Sequence, residues 1–285
     1  MPVSTWAIAE PRKLTFDEPV TALNVRIVNG TVNVVGTDEP VARLEVSGIE
    51  GPPLVVTQED GVLTVAYEDL AWQNLLKWLD RKGWQRRADV SLAVPAGSAV
   101  EVGVVGAGAF VSGIRGRTDV RGVTGDTTLA GLSGPVGAET VSGNVEAQSV
   151  TGELRFHSVS GDLTVVEGAG PSVKAESVSG DMVLDLDPAG KPTDVRLVTV
   201  SGEIAIRLPH PADARVEANT TSGSVSNGFE DLRVSGQWGA KKITGTLGSG
   251  TGTLRATTVS GAIALLRRPA AEDEPHDAEP TGKVL

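Results

Sequence analysis

The phrase "SVSGDLTVVE" at residues 158–167 returns as "SVSGDMVLDL" and "TVSGEIAIRL", and a chain that rewrites one phrase at short intervals must stack. Glycines 125, 134, 143, 152 and 161 stand nine residues apart, each preceded by Ser or Thr, and later copies fall at Gly180, Gly202, Gly223 and Gly261. Two residues before the glycine is Val in most copies (Val123, Val141, Val150, Val159, Val178, Val200, Val259). Three residues before the glycine stands a small hydroxyl residue at Thr140, Ser149, Ser158, Ser177, Thr199, Thr220 and Thr258. Apolar residues alternate on both sides, as in Val173/Ala175 before Gly180 and Met182/Leu184 after it, which is the period-two signature of strands meeting at a corner.

A nine-residue unit holds one strand and one turn, too little to bury its own face. Paired units make a flattened coil of about 18 residues, and such coils bury their apolar rows only by stacking. The expected fold is therefore an all-β, β-helix-like β-solenoid of short repeated strands. Its Val, Leu and Ile positions form a dry core, and its hydroxyl column relays hydrogen bonds from coil to coil. With coils about 4.8 Å apart, the seven from Gly113 to Gly261 span roughly 35 Å. Composition agrees: four Phe, one Tyr and two Met stand against 35 Gly, and Val suits strands while Gly suits corners where φ turns positive.

The register reappears in "ALNVRIVNGTVNVVG", so the strands begin near residue 14, and "LVVTQEDGVLTVAYE" predicts a hairpin turning at Asp60-Gly61. "VEVGVVGAGAFVSG" and "RGVTGDTTLAGLSG" keep only part of the register and predict irregular coils. The division that follows is an N-terminal arm at 1–13, an N-terminal β-region at 14–95, a repeat solenoid at 96–268 and a disordered acidic tail at 269–285.

Residues 69–87, "DLAWQNLLKWLDRKGWQRR", break the pattern. Trp72, Leu75, Leu76 and Leu79 have helical spacing, which predicts a short helical insertion near 70–84 acting as a cap or flank over exposed strand edges. Its Trp residues and cations also suit an anionic lipid surface or a partner. The candidate contact residues are Lys77, Trp78, Arg81, Lys82, Trp84, Arg86 and Arg87.

Chemistry has few footholds. His157, His210 and His276 are the three histidines, none beside another candidate ligand, so no zinc spacing exists. Acids follow the corner glycine at Asp126, Glu153, Asp162, Asp181 and Glu203, where they read as solvated turn acids or as a column that could hold a hard cation, interrupted by Asn144, Ser224 and Ala262. Outward acids such as Glu146, Glu176 and Glu217 are too scattered for a pectinolytic β-helix, and "GSGTGT" at 248–253 is a turn, with no Walker lysine. No catalytic residue, metal ligand or cofactor site is nominated. Net charge of −11 argues against nucleic acid. The first residues lack a basic start followed by an apolar stretch, so a chain without a signal peptide is expected.

The repeated "TVSG" phrase followed by Asp or Glu, together with the Trp/Arg insertion before "VSLAVPAG", resembles the bacterial putative-adhesin family of β-strand repeats, across roughly residues 15–268. The resemblance implies a domain of unknown function with no catalytic residues and no cofactor. The expected function is a non-enzymatic scaffold or interaction protein, envelope-associated, binding a protein partner or itself and touching anionic membrane peripherally. The expected location is the cytoplasm, on the inner membrane face. An exported cell-surface adhesin is the alternative, and a carbohydrate-active β-helix enzyme stands third.

Overall fold

The computed structural model describes residues 3–68, 86–187, 194–209 and 211–268. Within them the chain forms 26 strands and no helix, arranged in two open sheets of 14 and 12 strands. The predicted solenoid is therefore borne out. The helical insertion falls on residues 69–85, outside the described residues, as does the tail from 269.

The chain opens with β1 (Ser4–Ile8), β2 (Arg12–Phe16), β3 (Ala22–Ile27), β4 (Asn29–Thr37), β5 (Ala42–Glu50), β6 (Leu54–Glu59), β7 (Val62–Ala66) and β8 (Arg87–Pro95). Strands then come as coil pairs: β9 (Ala99–Val104) with β10 (Gly108–Ser112), β11 (Thr118–Arg121) with β12 (Thr127–Ala130), and β13 (Val136–Thr140) with β14 (Val145–Gln148). There follow β15 (Leu154–Ser158) with β16 (Leu163–Gly168), β17 (Ser172–Glu176) with β18 (Met182–Leu186), β19 (Asp194–Val198) with β20 (Ile204–Leu208), and β21 (Ala214–Thr220) with β22 (Val225–Asn227). A hairpin of β23 (Leu232–Gln237) and β24 (Ala240–Leu247) precedes the last pair, β25 (Gly252–Thr258) with β26 (Ile263–Arg267).

One strand of each coil joins the first sheet and the other joins the second, each pairing in parallel with its equivalent one coil away. Val100, Thr118, Val136 and Leu154 stand in one ladder, so the coil is 18 residues long through this region. The stretches expected to be irregular are thus regular coils. Their pattern was obscured because Thr118 and Thr127 occupy buried core positions where later coils carry Val, Leu or Ile. The Asp60-Gly61 hairpin forms as predicted, with both residues at positive φ. Within the expected N-terminal arm, β1 pairs with β6 and the start of β2 with β5.

Coil order departs from chain order at one place. The last pair, β25 and β26, lies between β19/β20 and β21/β22. The hairpin β23–β24 carries the chain past the end of the stack and back, so the final coil is inserted with parallel partners on both sides in the first sheet.

The corner glycines are needed for closeness rather than for φ. None of Gly125, Gly143, Gly161, Gly180, Gly202, Gly223 or Gly261 has positive φ. A Cβ on Gly143 would lie 2.1 Å from the carbonyl oxygen of Gly125, and on Gly202 1.9 Å from that of Gly180. Such approaches admit only hydrogen. Gly161→Ala, which would put Cβ 2.0 Å from the Gly143 oxygen, should lower stability by about 3 kcal/mol or more, whereas Gly97→Ala, with no atom within 4 Å of its Cβ, should change it by less than about 0.5 kcal/mol, read as urea midpoints.

Candidate interaction edge

The nine-residue repeat alternates between two edges of the stack. Gly125, Gly143, Gly161, Gly180 and Gly202 line the edge where each coil passes from the first sheet to the second, here the motif edge. Gly116, Gly134, Gly152 and Gly170 line the opposite, return edge. The sequence treats Val141 and Val150 alike, each followed by Ser/Thr-Gly. Their surroundings are opposite: Val150 is 2% exposed on the return edge, and Val141 is 45% exposed on the motif edge.

Backbone conformation explains the difference. On the return edge Gly113, Gly131, Ser149 and Glu167 take positive φ. That left-handed residue turns the next side chain inward, so Ile114, Leu132 and Val150 are buried. The motif edge uses a hydroxyl instead. Thr140 Oγ1 accepts the Gly143 N–H at 3.0 Å, and Ser177 and Thr199 do the same for Gly180 and Gly202 at 2.9 and 3.1 Å. This local turn closes without a left-handed residue and leaves the intervening Val pointing outward. The hydroxyls do not relay to one another as expected. The Ser before each glycine donates to a carbonyl of the previous coil instead, as Ser160 Oγ does to Val141 O at 3.2 Å. Ser149, which the sequence places in the same column, belongs to the return edge and donates to Glu167 at 3.3 Å.

The column after the glycine is a hydrogen-bond ladder. Asp126 Oδ1 accepts the Asn144 N–H at 2.9 Å, Asn144 Oδ1 that of Asp162 at 3.1 Å, Asp162 that of Asp181 at 2.8 Å, and Asp181 that of Glu203 at 2.7 Å. Asn144 therefore continues the column rather than interrupting it, because an amide oxygen accepts as a carboxylate does. Among the described residues no group of three candidate ligands is placed to hold a metal.

Five valines on five consecutive coils of the motif edge, Val141, Val159, Val178, Val200 and Val259, are 45 to 51% exposed. These are the motif valines expected in the core; the hydroxyl turn puts them outside it. At the N-terminal end of the same edge β7 ends at Ala66 and β8 begins at Arg87. At the C-terminal end stands the tip of the β23–β24 hairpin, where Lys241 pairs with Thr220 and Trp238 is fully exposed.

Of the seven candidate contact residues, Lys77, Trp78, Arg81, Lys82 and Trp84 lie outside the described residues. Arg86 and Arg87 are engaged by the fold. The Arg86 guanidinium sits 5.4 Å from the centroid of the buried Tyr67 ring, and Arg87 pairs with Asp89 at 3.4 Å. Sequence reasoning missed Trp238, whose signal was a bulky residue before Gly in a run with turn spacing.

The outward strand faces carry paired charges. A cleft of about 160 Å³ over Gly137 is lined by Asp119, Glu139, Glu153, Arg155 and His157. It is smaller than the few hundred Å³ of ordinary ligand pockets. Its acids meet cations: Asp119 with Arg117, Glu153 with Arg155, Glu139 with Arg121. Glu176 lies 3.9 Å from His157, and Glu217 2.7 Å from Lys242, whose ammonium holds the carboxyl below its usual range. Asp185 accepts from Arg207 at 2.8 Å and Arg268 at 2.7 Å, and the Arg207 bond lowers its pKa first. Asp213 closes the predicted 248–253 turn, accepting from the Thr251 hydroxyl and N–H and from Ser249, which brings its pKa down to about 2.

Stacked parallel coils with a repeated hydroxyl-Val-Ser-Gly corner define a β-strand-repeat solenoid. Residues 124–266 match the family model described as Toastrack DUF4097; this is half of the chain, and the chain belongs to that family. The family resemblance visible in the motif is thereby borne out. No curated protein matches the chain. A solved structure named putative cell adhesion protein, from Clostridium sporogenes, is similar at 12% identity over 91% of this chain and 100% of that chain, with a TM-score of 0.27. Another, named putative lipid binding protein, from Parabacteroides distasonis, is similar at 9% identity over 91% and 98%, with a TM-score of 0.44.

The ladder predicts that Asp162→Asn, which keeps the acceptor, leaves the thermal midpoint nearly unchanged, while Asp162→Ala costs about 1 kcal/mol. The depressed Asp213 stabilises the fold above the ordinary carboxylate value of 3.8, and that contribution is lost as pH falls toward about 2. Asp213→Asn should flatten the fall in thermal midpoint between those values, as followed by circular dichroism.

Proposed function

We propose that this chain is a non-enzymatic scaffold that docks a protein partner along its motif edge. The row of five half-exposed valines carries the reading. At about 4.8 Å per coil they form a straight apolar line about 19 Å long, too regular to be scattered surface residues. The parallel backbone ladders and the small intercoil glycines hold that line rigid, so binding it costs little ordering. Exposed carboxylates of Asp126, Asp162, Asp181 and Glu203 run beside it, which favours a partner bearing an apolar stripe flanked by cations.

The paired outward acids support a role without catalysis. None of these acids is left as an isolated base beside a nucleophile. On this reading the chain works on the cytoplasmic side of the envelope. Peripheral contact with anionic lipid through 69–87 would rest on Lys77, Trp78, Arg81, Lys82 and Trp84, because Arg86 and Arg87 are spent on Tyr67 and Asp89.

The test is cross-linked capture in the native host with three chains. A Val159→Glu/Val178→Glu variant should lose its partner while keeping the wild-type thermal midpoint, since both sites are exposed. Val183→Glu, equally exposed on the second sheet's outer face, should retain it. Equal capture by all three would overturn the edge as the docking surface. Polysaccharide cleavage abolished by Glu176→Gln or Glu217→Gln would overturn the scaffold.

A further inference from the structure

The β23–β24 hairpin is the last pair of the first sheet, and the second sheet ends short of it at β22. Gln237 pairs with Ala240, so the loop is two residues, Trp238 and Gly239, with φ of +55° and +93°. The same loop occurs between β6 and β7, where Asp60 and Gly61 have φ of +49° and +79°. Asp and Gly tolerate this left-handed geometry. A bulky aromatic residue does so only at a cost, because its Cβ crowds the backbone. Trp238 gains nothing for it within the fold, being 101% exposed. A residue that strains its turn and packs against none of the described residues is placed for something outside the fold.

The surrounding charge says what. From Leu232 to Leu247 the hairpin carries Arg233, Lys241 and Lys242 and no acid, in a chain of net charge −11. Lys242 is bound to Glu217, leaving Arg233 and Lys241 exposed on the hairpin. Val234, 52% exposed, adds apolar surface on the uncovered inner face. The tip is convex and two residues wide. By themselves those two residues cannot bury the roughly 800 Å² per side that a specific protein interface needs. A bilayer surface demands no complementary shape: an indole settles at headgroup depth, and cations beside it meet anionic headgroups.

We infer that the β23–β24 hairpin is an anchor for anionic membrane, inserting the Trp238 indole among the headgroups while Lys241, two residues past the turn, contacts their phosphates. Its residues, Leu232–Leu247, fall outside 69–87, so it is a contact separate from the one the sequence suggests. It is also separate from the valine row that docks a protein.

Co-sedimentation of the full chain with vesicles of phosphatidylglycerol and phosphatidylcholine tests this, against vesicles of phosphatidylcholine alone. Binding should appear only with the anionic vesicles and be released by about 0.5 M NaCl. Trp238→Gly should weaken it about tenfold while the thermal midpoint holds or rises, because glycine relieves the left-handed strain. Lys241→Glu should weaken it as well. Trp238→Gly binding like wild type, with Arg81→Glu/Lys82→Glu abolishing binding, would assign the contact to residues 69–85 and overturn the anchor. Equal binding to neutral vesicles, absence of binding to either, or a fall in thermal midpoint with Trp238→Gly would overturn it too.

Discussion

Each coil rests on the one before it through a contact between a glycine Cα and a carbonyl oxygen, repeated at Gly143, Gly161, Gly180, Gly202 and Gly261 on one edge and at Gly134, Gly152 and Gly170 on the other. A methyl group at any of these positions would lie within 2.2 Å of that oxygen. The spacing of parallel strands is fixed by backbone hydrogen bonds, and the corners must match it or the ladder opens. Everything lateral follows from that approach. Leu154, Val173 and Val195 fall into one buried row, and Leu163, Met182 and Ile204 into the facing row, because the corners hold the register.

The two edges solve the corner by different means, and the difference leaves apolar side chains exposed on one edge alone. On the return edge a left-handed residue folds the next apolar side chain into the core. On the motif edge a Ser or Thr side chain accepts the glycine N–H, so the turn closes with the valine still outside. The first solution makes a dry edge; the second makes a presenting one. Side-chain acceptors then reinforce the presenting edge through the Asp126–Glu203 ladder, where each carboxylate or amide oxygen ties a coil to the next. Of the acids that resembled a cation column, Asp126, Asp162 and Asp181 each accept a backbone N–H of the next coil, and Glu153 pairs with Arg155.

The stack ends are managed differently from its middle. Strand edges left bare invite other chains. At one end β1 and β2 add antiparallel strands outside the coils, and at the other the β23–β24 hairpin does so. The hairpin also reverses the chain, which is why the final coil enters between two coils already placed. Its tip lies beyond the end of the second sheet.

The sequence by itself determined the strand class, the 18-residue coil, the core rows and the Asp60-Gly61 turn, because period-two alternation and corner spacing are local properties carried by neighbouring residues. The family was equally visible in the repeated phrase. What tertiary structure alone decided is which corner is which. Val141 and Val150 have the same flanks, and only the left-handed Ser149, held by the coil stacked against it, sends one inward. It also decided that β25 and β26 sit between earlier coils, since nothing in a repeat states the order of stacking. And it brought Trp238, 97 residues after Val141, to the end of the same edge, a placement set by strand pairing between distant segments rather than by any pattern along the chain.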